Sequence, residues 1–387
     1  MTKSNNSWQL IDSPEALQEL SQRLEKVSWV AIDTEFMREK TYFPVLCLLQ
    51  LATPDWAVCV DPQADISLDP LLEALYRPDL RKVFHAAEQD LELLNQLKGS
   101  PPPNLFDSQI AAPLLGYPEQ VGYGRLVEMI CGRSLDKSQT RTDWSRRPLS
   151  DAQLQYAADD VIELVKIYQR LRQQLNETGR TQWLESEWQK LADPERFNRS
   201  PDRAWERLKG LDRLSSRARG AAQHLAVWRE RMALERNRPR NWIIKDATLF
   251  DIAKQLPQNL DALSRVRGLP EPVLKKDGKA LLRAVSEGLE NALPLHKSKP
   301  PRALSESQEA TVDALSAIVR LKAVQHSINP QVLASRKSLE KLLQGDASTL
   351  TEGWRGQLLA ESLQGFLAGN LNLNLNSEIE LQMEEKT

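Results

Sequence analysis

The sequence lacks any run of the roughly 20 consecutive apolar residues that a transmembrane helix needs, and its first eight residues are polar. It has only three cysteines, Cys47, Cys59 and Cys131, and no Cys-x-x-Cys pair. We therefore expect no membrane segment and no export. The sequence predicts a cytoplasmic protein with reduced, buried thiols and no disulfide framework.

The net charge is also small, −2, and the 41% hydrophobic and 27% charged residues are typical of a folded globular protein. A chain of 387 residues is too long for one compact core, so we expect two or three domains. Positive charge is concentrated in residues 196–240, which contain 12 arginines and one lysine but only five acidic residues. This stretch could meet a polyanion, although a solvated helical surface explains it equally well.

Short apolar runs alternate with helical patterns over the first 175 residues or so. The runs rich in Val, Ile, Leu and Phe predict strands at residues 29–35, 45–52, 57–61 and 82–85. Helices are predicted at residues 68–76, 87–97, 107–115, 123–131 and 151–175. This mixture indicates an α/β domain, with a mixed sheet flanked by helices.

The strand signal disappears beyond about residue 183, and the rest of the chain is predicted to be helical. An amphipathic pattern at residues 213–236 ends before Pro239, which cannot continue a helix. Further helices are predicted at residues 246–255, 260–264, 272–289, 305–324, 330–334, 338–344 and 353–368, with a proline-containing linker at 294–301. The pattern predicts two tandem all-helical modules. The run at 371–376 and the acidic end are interpreted as a frayed tail.

Asp33 and Glu35 lie two residues apart in a predicted strand, so both side chains point to the same face of the sheet. The apolar residues directly before them indicate that this strand is buried. Two ionised carboxylates in such a place are unfavourable unless a cation or a strong hydrogen-bond donor compensates them. Taken alone, an Asp-x-Glu pair also fits a strand end that reaches solvent.

Asp90 is a third acidic candidate. It falls early in the helical pattern after the strand predicted to end at His85, so the end of a neighbouring strand could bring it towards Asp33. The alternative is an acidic residue that the macrodipole favours near a helix N-terminus.

Tyr156 and Asp160 lie i and i+4 in a helix that opens with a capping box, Ser150-x-x-Gln153. This spacing stacks the two side chains on one helix face. Asp159 is also a neighbour of Tyr156, and the spacing does not choose between the two aspartates.

Four carboxylates without a histidine or cysteine partner suit hard divalent cations such as Mg²⁺ or Mn²⁺, and suit zinc poorly. Two such cations about 3.5–4 Å apart can stabilise the attacking and leaving oxygens of an in-line phosphoryl displacement. A tyrosine hydroxyl beside them could orient the attacking water. The residues therefore predict phosphodiester chemistry with two divalent metal ions as cofactors.

The sequences around these residues resemble, in the same order, the three motifs of the 3′–5′ exonucleases that carry four carboxylates and a tyrosine. They are AIDTEF around Asp33, VFHAAEQDLELL around Asp90 and QYAADD around Asp160. The segment LDKSQTRTDWSRRPLS at 135–150 and the tandem helical modules make the chain more similar still to the ribonuclease D family, over nearly all of the chain to about residue 370. The resemblance implies an α/β ribonuclease-H-like exonuclease domain (1–200), two all-α HRDC helical domains (208–292 and 302–372) and a flexible tail (373–387).

The same resemblance implies a role for each motif residue. It selects the second of the two adjacent aspartates, so that the metal ligands would be Asp33, Glu35, Asp90 and Asp160. Asp33 would bridge both ions, Glu35 and Asp160 would complete one site, and Asp90 would hold the second ion, partly through water. Tyr156 would position the nucleophilic water.

The activity implied by the resemblance is removal of single nucleotides from the 3′ ends of structured RNAs such as tRNA precursors. Nucleoside 5′-monophosphates would be released, and a monomer is expected. Two alternatives stay open: a 3′–5′ DNA exonuclease, which can use the same carboxylates, and a catalytically silent RNA-binding scaffold that uses its HRDC modules alone.

Six residues near the motifs are weaker candidates for RNA binding: Phe36, Met37, His85, Lys137, Arg141 and Arg146. The first two could pack against the terminal base or belong to the core. The histidine could support Asp90 or be a hydrogen-bonded core residue, and the three basic residues could contact phosphates or be solvated. The Gly-Tyr-Gly sequence at 122–124 lacks the context of a nucleotide-binding loop.

Part of the basic stretch combines charge with aromatic surface, which suits RNA backbone contact and stacking. The residues are Trp228, Arg229, Arg231, Arg236, Arg238, Arg240 and Trp242. Trp228 is expected to belong to the core.

Overall fold

Six strands form the central sheet of the computed structural model, which describes residues 8–136, 138–197, 200–291 and 303–386. The strands are β1 (Trp8–Ile11), β2 (Trp29–Met37), β3 (Val45–Ala52), β4 (Ala57–Val60), β5 (Arg81–Phe84) and β6 (Leu105–Asp107). Their order is β1-β4-β3-β2-β5-β6. β3 runs antiparallel to β2 and β4, whereas the other neighbouring pairs are parallel. The sheet is therefore mixed, as predicted.

Helices pack around this sheet and complete the α/β domain. They are α1 (Pro14–Glu25), α2 (Asp69–Leu75), α3 (Glu88–Lys98), α4 (Ser108–Ala111), α5 (Tyr123–Cys131), α6 (Asp151–Glu177) and α7 (Glu185–Leu191). Short 3₁₀ helices lie at Ala112–Leu115, Thr181–Leu184 and Pro194–Arg196. The long α6 begins at the capping box predicted for Ser150 and Gln153, and it packs across β2, β3 and β4.

The predicted strands are all present, and their ends shift by at most two residues. Within the α/β domain, the predictions missed β1, β6, α1 and α7. β1 and β6 are edge strands of four and three residues, too short for an alternating pattern to be visible. The helix predicted at 107–115 divides into α4 and a 3₁₀ helix because Pro113 has no backbone N–H to continue it.

The first helical module follows 3₁₀ helices at Pro201–Arg207 and Leu211–Arg213. It comprises α8 (Ser216–Glu235), α9 (Arg240–Ile243), α10 (Asp246–Gln255), α11 (Leu260–Ser264) and α12 (Glu271–Glu290). Its buried apolar side chains form a core of their own, which includes Trp228 as predicted. This module therefore has the packing of a separate folding unit.

The two long helices of the first module, α8 and α12, cross with their backbones in contact. A Cβ atom at Gly288 would lie 2.3 Å from the carbonyl oxygen of Gly220 and 2.7 Å from the Cα of Ala221. These distances leave no room for a side chain, so glycine at position 288 allows the close crossing.

The second helical module repeats the same succession of a long helix, a one-turn helix, a medium helix, a short helix and a second long helix. Its helices are α13 (Glu306–His326), α14 (Pro330–Leu333), α15 (Arg336–Leu343), α16 (Ser348–Thr351) and α17 (Gly353–Leu367). The prediction of an α/β domain followed by two helical modules is confirmed.

Unlike the first module, the second module shares one continuous apolar core with the α/β domain. The rings of Trp183 and Trp354 stack across this contact, with centroids 4.9 Å apart and planes 5° from parallel. The Arg180 guanidinium donates to the backbone carbonyls of Leu114, at 2.6 Å, and of His326. Apolar stacking and buried hydrogen bonds together hold the second module against the α/β domain.

The end of the chain forms a hairpin, which corrects the interpretation of this region as a frayed tail. β7 (Leu371–Leu375) pairs antiparallel with β8 (Leu381–Glu385). Leu371, Leu373 and Met383 pack against the core that the second module shares. The alternation of Leu and Asn at 371–376 was a strand signal, because it places the leucines on one face.

The domain boundaries at 1–200, 208–292 and 302–372 stay predictions. The predicted linker at 294–301 lies outside the described residues. Within the described ranges, no helix combines the length and apolarity needed to cross a bilayer.

Candidate active site

Three carboxylates from distant parts of the sequence meet beside β2. Asp33 and Glu35 alternate with Thr34 along the strand and therefore project from the same face. The packing of α6 on β2 brings Asp160 to them. One carboxylate oxygen from each of the three lies within 4.8 Å of the others. The family resemblance implied these three residues as neighbouring ligands, and the spacing implied only that Asp33 and Glu35 share a face.

Asp90 lies beside this group but is not part of it. It occupies the first turn of α3, is buried, and accepts a hydrogen bond at Oδ1 from the Thr34 hydroxyl. Burial, and then repulsion from Asp33, raise the pKa of Asp90 well above its ordinary value. The two carboxylates are thus near enough to interact, although the cluster of ligand atoms found among the described residues contains only Asp33, Glu35 and Asp160.

Burial raises the pKa of each carboxyl group in the cluster. The pKa of Asp33 reaches about 6, although the backbone amide of Thr34 opposes the shift. The pKa of Glu35 rises to about 9 through burial and then through repulsion from Asp33, Asp160 and Asp90. Burial and repulsion from Asp33 raise the pKa of Asp160 to about 8. Such a cluster of oxygen donors fits a hard divalent cation, whose charge would stabilise the ionised forms.

Tyr156 lies one helical turn before Asp160 on α6. The Tyr156 hydroxyl lies near the side chains of Thr140 and Asp160. Burial and the charge of Asp160 raise the pKa of Tyr156 to about 12. Its hydroxyl therefore stays protonated at neutral pH and can donate a hydrogen bond.

A cavity of about 340 Å³ opens over these side chains. Its lining consists of Asp33, Thr34, Glu35, His85, Tyr123, Gly124, Leu135, Asp136, Thr140, Tyr156, Asp160 and Leu164. The cavity combines carboxylates that suit a metal with hydroxyl groups that can orient water or a ribose.

Comparison with known proteins covers both halves of the chain. A family model described as a 3′–5′ exonuclease matches residues 8–176, and one described as an HRDC domain matches residues 218–285. Ribonuclease D of Bartonella henselae is 37% identical over 384 residues, which cover 96% of this chain and 93% of that protein. Ribonuclease D of Gluconacetobacter diazotrophicus is 38% identical over 375 residues, which cover 95% and 94%. The chain belongs to the ribonuclease D family.

A solved structure supports this membership along most of the chain. The crystal structure of Escherichia coli RNase D, described as an exoribonuclease involved in structured RNA processing, matches with a TM-score of 0.76 at 31% identity. The match covers 94% of this chain and 99% of that one. The resemblance to the ribonuclease D family, and the exonuclease and HRDC folds that it implied, are confirmed.

Arg147 anchors the ribonuclease D-like segment at 135–150 to the sheet. Its guanidinium forms two hydrogen bonds of 2.7 Å to the Asp61 carboxylate and donates at 2.6 Å to the carbonyl of Cys47. The pairing of β2 with β3 shifts between Glu35 and Phe36, which makes Cys47 the extra residue of a bulge. The segment that precedes α6 is therefore tied to the sheet next to the first motif.

The weaker candidates for RNA binding differ in how far they are buried. Phe36 and Met37 are half-buried and pack against the core instead of lining the cavity. Arg141 and Arg146 are exposed in the loop before α6. Lys137 lies outside the described residues. RNA contact by these residues stays a prediction.

His85 and Tyr123 both line the cavity. A hydrogen bond of 2.9 Å joins Nδ1 of His85 to the Ser108 hydroxyl, and burial lowers the pKa of the imidazole. The Tyr123 ring lies 5.2 Å from that of His85, and its hydroxyl donates to the backbone carbonyl of Asp160. Tyr123 was not among the predicted site residues, because the Gly-Tyr-Gly sequence around it lacks the context of a nucleotide-binding loop. No local pattern shows that this tyrosine reaches Asp160.

Two arginines of the basic stretch at 196–240 have packing partners inside the first module. Arg229 is buried and pairs with Asp246 at 2.7 Å. Arg236 forms an ion pair of 2.6 Å with a buried aspartate of α12. Both arginines therefore stabilise the first module. Arg238 lies over the ring of Trp242, which is 53% exposed, so RNA contact by this pair stays a prediction.

Proposed function

We propose that the chain is a 3′–5′ exoribonuclease that shortens structured RNAs such as tRNA precursors one nucleotide at a time and releases nucleoside 5′-monophosphates. The observation that carries this proposal is the convergence of Asp33, Glu35 and Asp160 in one cavity, with Asp90 and Tyr156 beside them. Family membership supports the reaction class. The description of the E. coli relative as an exoribonuclease involved in structured RNA processing supports the substrate class.

The carboxylates would hold two divalent cations, Mg²⁺ or Mn²⁺. Asp33 would be the shared ligand, Glu35 and Asp160 would complete one site, and Asp90 would hold the second, partly through water. When bound, the two ions stabilise charge on the attacking and leaving oxygens. The raised pKa values of Glu35 and Asp160, about 9 and about 8, mean that these ligands lose protons as the site is loaded.

Thr34 would orient Asp90 for this role. The Thr34 hydroxyl occupies Oδ1 of Asp90, which leaves Oδ2 as the oxygen offered to a cation or to its bound water. Because Thr34 lies between Asp33 and Glu35 on β2, this hydrogen bond ties α3 to the strand that carries the first motif.

Tyr156 would orient the water that attacks the terminal phosphodiester. Its pKa of about 12 keeps the proton on the hydroxyl, so Tyr156 would act as a hydrogen-bond donor and not as a base. As the water oxygen bonds to phosphorus, the bond from phosphorus to the 3′ oxygen of the preceding nucleotide breaks. The released nucleotide then carries a 5′-phosphate, and the shortened RNA regains a 3′-hydroxyl.

The helical modules would contact the RNA outside the cavity. We propose that the second module is a second HRDC domain, because it repeats the helix order of the module that the HRDC model matches. The exposed Trp242, with Arg238 over its ring, offers a surface on which a base can stack. We also propose a monomer, since one chain supplies the whole carboxylate set and both modules.

A trimming assay tests this function. The protein, with Mg²⁺ or Mn²⁺, is incubated with a 5′-labelled tRNA that carries a 3′ extension, and the expected product is a ladder of single-nucleotide steps that EDTA abolishes. Asp33→Ala should remove the activity and leave the circular dichroism spectrum unchanged. Trimming by purified Asp33→Ala, or trimming in EDTA, would contradict the metal assignment. Preference for a matched DNA oligonucleotide would favour a DNA exonuclease instead.

A further inference from the structure

The first helical module holds the loop that follows the strand carrying Asp33 and Glu35. β2 ends at residue 37 and β3 begins at residue 45, and we call residues 38–44 the β2–β3 loop. Oδ1 of Asn237, just after the end of α8, accepts hydrogen bonds from the backbone amides of Tyr42, at 3.0 Å, and Phe43, at 3.2 Å. One side chain of the module therefore binds two consecutive amides of the α/β domain.

Tyr42 makes a second connection to the same module. Its ring packs against the apolar core of the module, and its hydroxyl donates to the carboxylate of Glu230 on α8. The Glu230 side chain is only 1% exposed and also pairs with Arg207 at 2.8 Å. A buried carboxylate with these partners shows that the loop is built into the module and does not merely touch its surface.

The backbone of Asn237 matches this role. Asn237 has a φ of +45°, in the left-handed region, and follows the end of α8 by two residues. Asparagine is one of the few residues other than glycine that adopt this conformation at a helix end. The same residue thus ends α8 and presents its side-chain oxygen to the loop.

The beginning of the β2–β3 loop is tied to the second motif. Arg38, the first residue of the loop, forms an ion pair with Glu92 on α3, the helix that carries Asp90. One end of the loop is therefore connected to α3 and the other end to the first module. A displacement of the loop would act on β2 and α3 together.

The second module uses the corresponding turn to contact the α/β domain. After α13, the backbone amide of Asn329 donates to the carbonyl of Pro113 at 2.9 Å, and Nδ2 of Asn329 donates to the carbonyl of Tyr117 at 3.2 Å. The turn after the first long helix is thus the docking element in both modules. This repetition supports a specific role for the turn that contains Asn237.

We propose that the first helical module is a positioning element for the exonuclease site and acts through Asn237. By binding the β2–β3 loop, Asn237 holds the end of β2, and with it Asp33 and Glu35, in the geometry used for hydrolysis. The inference rests on the proposed exoribonuclease function and adds to it: the module would increase turnover through a contact inside the chain, separately from any contact with RNA.

Three variants of the full chain test the proposal. Asn237→Gly removes the side-chain oxygen, while glycine adopts the left-handed backbone without strain. Asn237→Asp keeps an oxygen acceptor in the same place and should restore the contact. Lys254→Ala, at an exposed position of α10 in the same module, is the control. Each variant is examined by hydrogen exchange of residues 38–44 and by kcat and KM on a short single-stranded RNA with Mn²⁺.

In Asn237→Gly, the backbone amides of the β2–β3 loop should exchange their hydrogens faster. The kcat of this variant should fall between about fivefold and a hundredfold, with a smaller change in KM, because small displacements of reacting groups have effects of this size. Asn237→Asp and Lys254→Ala should resemble the unmodified protein. Unchanged exchange in Asn237→Gly, or faster exchange with an unchanged kcat, would overturn the proposal. If the unmodified protein fails to trim RNA, the proposed function fails, whereas the exchange measurement still shows whether Asn237 holds the loop.

Discussion

Gln50 lies directly across from Asp33 in the paired strands β2 and β3, and its side chain is fully buried. Residues in register on antiparallel strands project from the same face, so Gln50 belongs to the face of the sheet that carries the carboxylates. Within the described part of the chain, neither polar atom of its side-chain amide has a hydrogen-bond partner. An unpaired buried amide is unfavourable for folding.

This relationship predicts the effect of Gln50→Met. Methionine has a similar length and no unpaired polar atom, so the free energy of unfolding of the metal-free protein should rise by about 1–3 kcal/mol. Urea unfolding in EDTA measures the change. A fall in stability would show that the Gln50 amide is satisfied in the folded protein, and would contradict the prediction.

The carboxylate cluster predicts that the metal-free protein loses stability as the pH rises. Asp33, Asp160 and Glu35 have pKa values of about 6, 8 and 9 in the folded protein, and ordinary carboxyl groups titrate near pH 4. Between these values the folded state binds more protons than the unfolded state, so the free energy of unfolding decreases with increasing pH.

The melting temperature in EDTA, measured from pH 5 to pH 8, tests this sign. The fall of the melting temperature with rising pH should be smaller in Asp160→Asn, because one titrating group is removed. Added Mg²⁺ or Mn²⁺ should raise the melting temperature most at the upper end of the pH range. A pH dependence that is the same in Asp160→Asn and in the unmodified protein would show that Asp160 does not titrate in this window.

Asp160 and Asp159 form a matched pair for testing the third motif. Asp160 belongs to the ligand cluster, whereas Asp159 accepts a hydrogen bond from Gln155 at 3.1 Å. Asp160→Asn should lower kcat by about a hundredfold or more, since loss of a residue that only supports a metal ligand already costs 10–100-fold. Asp159→Asn should change kcat less than about threefold, a difference that trimming assays at saturating RNA resolve. Equal losses in the two variants would contradict the assignment.

The two helical modules should respond differently to core substitutions. Leu225 lies in the separate core of the first module, and Leu315 lies in the core shared by the second module and the α/β domain. Each change to alanine should destabilise its core by about 2–5 kcal/mol. Hydrogen exchange should show loss of protection in residues 216–290 and in the β2–β3 loop that they hold for Leu225→Ala, and in both residues 306–367 and the α/β domain for Leu315→Ala. Loss confined to residues 306–367 in Leu315→Ala would show that the shared core does not unfold as a unit.

Elements with strong local signals were predicted well from the sequence. The bounds of β3, α5 and α10 agree with the predictions, because each is a long apolar or amphipathic run with clear ends. The spacing of Asp33 with Glu35 and of Tyr156 with Asp160 likewise placed each pair on one face. Local periodicity therefore accounts for most of the architecture, whereas the grouping of Asp160 with Asp33 and Glu35 was implied by the family resemblance.

Contacts between residues far apart in the sequence could not be predicted from local periodicity. The partners of Arg229 and Arg236 lie 17 and 41 residues further along the chain, so an inspection of charge could not show that these arginines are paired. The hydroxyl of Tyr123 reaches Asp160, and Asn237 reaches the β2–β3 loop, only because the fold brings separate elements together. The hairpin at the end of the chain was missed because its alternating run had no recognised partner strand.

The backbone contact between α8 and α12 makes one position of the first module unusually sensitive. A single added methyl group at Gly288 would lie 2.3 Å from the carbonyl oxygen of Gly220. The obstructing atoms belong to the backbone, so a change of side-chain rotamer cannot make room for it. Even alanine, ordinarily the mildest replacement in a helix, should force the pair of helices apart there. A naturally occurring variant at this position could impair RNA trimming although it alters neither a carboxylate nor any surface that RNA touches.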